Sequence, residues 1–115
     1  MEVFDREQAL QHAGGDEKRL EQVMKEFLAR ADRRVPALEI ALGAREGHRV
    51  DGEGRALAVE SGRVGAEGVE DVSARLADAA ARGDWMEAES LFRKLEMELE
   101  WLKRVLDEKI CTGNL

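Results

Sequence analysis

"RGDWMEAESLFRKLEMELEWLKRVL", residues 82–106, decides the fold class. Trp85, Ala88, Phe92, Leu95, Leu99, Leu102 and Leu106 recur at alternating intervals of three and four, which winds one apolar stripe down one side of a helix. Gly83 suits the left-handed end of a preceding helix, and Asp84 with Glu87 three residues on makes a capping-box signature. The spacing predicts a helix over Trp85–Ile110, roughly 39 Å long at about 1.5 Å per residue. A helix of that length needs a bundle to lie against. Glu87, Glu89, Glu96, Glu98, Glu100 and Glu108 interleave with Arg93, Lys94, Lys103, Arg104 and Lys109, the pattern of an exposed face laced by intrahelical pairs. No apolar enclosure separates these acids into a catalytic pair.

Working back toward the start, Leu20, Val23, Met24, Phe27, Leu28, Ala31, Val35, Leu38 and Leu42 form a second stripe in helical phase. Pro36 interrupts it, and because the stripe continues in phase the expectation is a bend near Asp32 and not two unrelated helices. A short first helix over Arg6–Ala13 is expected from Asp5 as N-cap and the glycines at 14 and 15 as terminator. Between these segments, Gly52, Gly54, Gly62, Gly65 and Gly68 each cost about 1 kcal/mol in a helix interior. Against that, Val50, Leu57 and Val64 repeat at seven, and Val69, Val72, Leu76 and Ala79 continue an apolar face. One helix over Val50–Arg82 is expected, with "GAREGH" at 43–48 as the main flexible loop.

Composition agrees with this. The chain has 115 residues, 43% hydrophobic and 37% charged, with 4% aromatics and one proline. That fits a single all-α domain over residues 1–115, an up-down four-helix bundle with a short extra helix at the start. The net charge of −7 argues against nucleic acid and against anionic membranes as partners. The start lacks a basic n-region and an apolar h-region, and no run approaches the ~20 apolar residues of a membrane span, so the expected location is the cytoplasm. Cys111 stands alone and is read as a reduced, incidental thiol.

From "FDREQALQHAGGDEKRLEQVMKEFLARADRRVPALEIALGA" at 4–44 to "AARGDWMEAESLFRKLEMELEWLKRVL" at 80–106, the order of elements resembles the histidine phosphotransfer (HPt) family. That resemblance implies a four-helix bundle used in two-component phosphorelay signalling. Family members typically carry a histidine, any residue, then leucine, lysine and glycine, with a glycine-alanine pair further on. Here Leu57 matches the leucine and Gly65-Ala66 the pair, which puts Arg55 at the phosphoacceptor, Ala58 at the lysine and Val59 at the glycine.

Each departure has a chemical consequence. Imidazole accepts a phosphoryl group through a nitrogen lone pair, whereas guanidinium stays protonated and has none to offer. Ala58 supplies no cation beside the phosphate, and Val59 fills the space a glycine leaves. At about 100° per residue Arg55 lies opposite Leu57 and Val64, so it points outward with Ala58, Val59, Gly62 and Ala66 on the same face. The family docks that face over the acidic pocket of a receiver domain, where an arginine meets complementary charge. The expectation is therefore a non-catalytic module without cofactor or metal. Its partner would be a response-regulator receiver domain or a histidine kinase, bound through Arg55, Ala58, Val59, Gly62 and Ala66. Arg55 as a merely solvated surface cation is the rival reading for that residue.

Two other readings stay open. His48, in or beside the expected loop, could act as a displaced phosphoacceptor in a working carrier. Alternatively the chain is an oligomeric scaffold whose long last helix pairs with a copy of itself, a homodimer, with Trp85 and Trp101 serving core or dimer contacts. His12 is read as a helix C-terminal residue favoured by the dipole. The wide spacing of two histidines and one cysteine gives no metal site, and the glycine spacing "GEG" follows no strand and makes no phosphate cradle.

Overall fold

The computed structural model of the chain describes residue 11 and residues 14–112, with side chains described as far as residue 106. Four helices follow in order: α1 (Glu17–Gly43), α2 (Gly47–Arg63), α3 (Glu67–Ala81) and α4 (Trp85–Thr112). Each packs on its chain neighbour, and α4 returns against α1 to close a ring. This is the up-down four-helix bundle expected from the sequence. The short helix expected over Arg6–Ala13 falls, Gln11 apart, outside the described residues, as do His12 and the side chain of Cys111.

The two long helices form much as the apolar stripes dictate. Asp16 caps α1, accepting from the amides of Lys18 and Arg19 at 2.9 and 3.4 Å, which satisfies donors that the first turn leaves orphaned. Asp84 does the same for the Glu87 amide at 3.2 Å at the start of α4. Pro36 sits at an exposed position inside α1, which runs on as one helix through it. Phe27, Met24, Leu38, Leu57, Leu76, Leu91, Leu95 and Leu102 fill the core with almost no exposure, each worth about 2 kcal/mol of transfer free energy.

The middle of the chain differs from the sequence reading. The single helix expected over Val50–Arg82 is two helices, broken where Gly65 takes φ 75° and the chain reverses. The loop expected at 43–48 is a three-residue turn, so α2 starts at Gly47 and His48 lies in its first turn. All three turns share one device. Arg45, Gly65 and Gly83 are left-handed, with φ 55°, 75° and 74°. The next amide in each, that of Glu46, Ala66 and Asp84, donates at 2.9 Å to the carbonyl five residues back, on Ala41, Ser61 and Ala79. This is the Schellman closure of a helix C-terminus. Glycine serves it without strain at 65 and 83; at 45 an arginine bears the left-handed conformation.

Because α2 and α3 are joined so tightly, they pack closely along their length. A Cβ on Gly54 would meet the Ser73 carbonyl oxygen at 3.1 Å and the Ala77 Cβ at 3.2 Å. The missing side chain is therefore what lets the two helices approach. Their shared outer seam carries the site.

Candidate functional site

Arg55 stands on the outer side of α2, with 55% of its side chain exposed, as the opposition to buried Leu57 requires. Its Nε donates to Asp51 Oδ1 at 2.7 Å, one turn back on the same helix, and its Nη2 donates to Asp78 Oδ1 at 2.8 Å on α3. The close approach at Gly54, opposite Ala77, brings the adjacent Arg55 and Asp78 within reach of each other. The hydrogen bond to Asp78, followed by the charge of Asp51, holds the guanidinium pKa above its ordinary value. The arginine is a cation in all conditions of interest, and two carboxylates clamp it. Among the described residues the remaining N–H groups of its fork have no partner.

The other residues expected on this face divide. Val59 is 55% exposed, Ala58 is half-buried, and Gly62 is half-buried beneath the Glu70 carboxylate, which occupies the space a Cβ there would need. Ala66 does not belong with them. It is fully buried, because the reversal at Gly65 turns the chain inward before α3 begins. The expectation that Ala66 shares the outward face assumed a helix running straight through the turn, and the reversal at Gly65 overturns it.

Beside Val59 runs a shallow groove between α2 and α3, lined by Ala58, Val59 and Ala74 with Glu67, Glu70 and Asp71. Arg75 answers Asp71 at 3.5 Å. Counting Asp51 and Asp78, five carboxylates share this seam with two arginines. The outward face expected around Arg55 is thus an acidic seam, with its central cation clamped between two carboxylates. The signal for Asp51 was available as an Asp–Arg pair at i,i+4. Asp78 and the groove acids reach the site only through the chain reversal at Gly65.

His48 is exposed near the N-terminal end of α2, about two turns from Arg55. No hydrogen bond or ion pair orients its ring among the described residues. A second charged cluster, on the α1 side of α2, is structural. Arg34 of α1 binds Glu53 at 2.7 Å and also Glu60, both on α2, with all three side chains largely enclosed. The hydrogen bond to Glu60 is the main cause of a raised Arg34 pKa. Among the described residues no group of three or more His, Cys, Asp or Glu is arranged to hold a metal ion, and no helix is long and apolar enough to cross a membrane.

No protein-family model and no curated protein matches the chain by sequence. Among solved structures the chain is similar to histidine-containing phosphotransfer protein B (HptB) from Pseudomonas aeruginosa, with a TM-score of 0.85 over 93% of each chain and 18% sequence identity. The bundle is an HPt-like fold.

Proposed function

We propose that the chain is a phosphorelay signalling module that docks on a response-regulator receiver or a histidine kinase domain without carrying phosphate. One observation carries this reading. In an HPt-like fold, the position that the sequence register assigns to the phosphoacceptor holds Arg55, an exposed cation clamped between Asp51 and Asp78. Guanidinium has no lone pair for phosphorus, so the position binds and does not react. Its uncommitted N–H groups suit a partner's carboxylate. Exposed Val59 supplies an apolar contact, and Glu67, Glu70 and Asp71 favour a partner with cations around that acceptor.

The test is incubation with a receiver domain phosphorylated by a small-molecule phosphodonor, followed by calorimetry with the same receiver. The expected result is no acid-labile phosphate on the chain, together with binding that Arg55→Glu weakens at least tenfold. Acid-labile phosphate on His48 would replace this reading with that of a working carrier. Binding indifferent to Arg55→Glu would reduce Arg55 to a solvated surface residue.

A further inference from the structure

Among the described residues nothing covers the outward face of α4, and it is not polar throughout. Met97 is 70% exposed and Trp101 53%, one turn apart, and both border a groove that Val35 and Pro36 of α1 complete. In the ring of helices α4 lies diagonally across from α2, so this face is distinct from the Arg55 seam. Arg93 and Lys94 precede Met97 on it, and Glu100 and Trp101 follow. All are exposed, and Arg93 and Lys94 make no hydrogen bond or ion pair among the described residues.

The order of these residues makes the face complementary to itself. At about 100° per residue, Arg93 and Glu100 fall on one flank of Met97, and Lys94 and Trp101 on the other. A two-fold axis crossing the helix at Met97 exchanges residues before it with residues after it and keeps each on its flank. Arg93 then meets Glu100 of the partner subunit, and Lys94 lies over the ring of Trp101 of the partner subunit, an ion pair and a cation–π contact each made twice. The two Met97 side chains meet on the axis. A parallel pairing exchanges the flanks and would instead set Arg93 against Lys94 of the partner subunit, cation against cation. We infer that α4 is the interface of an antiparallel homodimer centred on Met97.

An interface built on one helix face and one groove lies at the small end of stable associations, so the dimer is concentration-dependent. By sedimentation the wild type is expected to shift from the 12.8 kDa monomer to twice that mass over roughly the micromolar to submillimolar range. Met97→Glu places like charges on the axis and should hold the chain at monomer mass with unchanged helical circular dichroism. Arg93→Glu and Glu100→Arg should each weaken dimerisation about tenfold or more, and the double variant should recover most of that loss. A wild type that stays monomeric at high concentration overturns the inference, as does a dimer that survives Met97→Glu or a double variant no tighter than the singles. None of these variants touches the Arg55 seam, so receiver binding reports separately.

Discussion

Replacing Gly54 by alanine tests whether the close approach of α2 and α3 sets the geometry of the seam. Alanine in a helix interior is favoured over glycine by about 1 kcal/mol. At Gly54, however, the new methyl would lie 3.1 Å from the Ser73 carbonyl oxygen, 3.2 Å from the Ala77 Cβ and 3.4 Å from the Ala77 amide nitrogen. Two of these three are backbone atoms of α3, so relief comes only by moving the helices apart by a few tenths of an ångström. Overpacking of this kind costs roughly 1–3 kcal/mol, for a net loss of about 1 kcal/mol. Gly52, on the same helix, has nothing within 4 Å of its added Cβ, and alanine there should stabilise by about 1 kcal/mol. The two variants should therefore differ by about 2 kcal/mol, or roughly 10 °C in Tm for a domain near this size. Thermal and urea melts followed at 222 nm read this directly. If Gly54→Ala melts at or above Gly52→Ala, the close approach does not constrain the helices and the placement of Asp78 against Arg55 needs another cause.

Two further outcomes are expected. Arg34→Ala leaves the Glu53 and Glu60 carboxylates facing one another in a largely enclosed site and should cost about 1–2 kcal/mol after solvent screening. Because the folded-state pKa of Arg34 is raised, its contribution is fully present below the ordinary arginine value and is lost only as pH climbs through the folded one. Urea denaturation should thus give the same difference from wild type at about pH 6 and pH 9, and a difference that collapses between them would contradict the ion-pair account. Arg55→His alone should acquire no acid-labile phosphate from a phosphorylated receiver, whereas rapid labelling of that variant would show that Arg55 is the sole obstacle to transfer.

The ends of this fold were legible in the sequence and its middle was not, for a physical reason. In α4 the apolar stripe, the cap Asp84 and the glycine at 83 all point to the same boundary, and in α1 the stripe alone marked the helix, its cap Asp16 emerging only in the structure. Between Val50 and Arg82 the apolar residues keep helical phase on both sides of the break, because Val64 and Val69 both face the core. Periodicity reports which face is buried and says nothing about direction. The break rests on Gly65 alone, whose left-handed φ is not shared by Gly52, Gly54 or Gly62, and one sequence does not rank these glycines. At 43–48 the left-handed position is Arg45, so the turn carries no glycine signal where it needs one. The outward placement of Arg55 followed from Leu57, but its clamp did not, since Asp78 is brought to it by that same unmarked reversal.

The clamp bears on the proposal that position 55 carries no phosphate. A phosphoryl group carries close to two negative charges near neutral pH, and at position 55 it would sit beside Asp51 and Asp78, with Glu67, Glu70 and Asp71 along the same seam. Repulsion from Asp51 and Asp78, with Ala58 offering no cation, opposes a phosphorylated state whatever nucleophile stands there. Removing the guanidinium would also leave Asp51 and Asp78 without the donor they share. Arginine and its two aspartates therefore form one unit, in which the carboxylates that repel phosphate are the groups that hold the cation in place. On the proposed reading a surface arranged in this way serves binding, and a single substitution at residue 55 does not by itself make it a carrier.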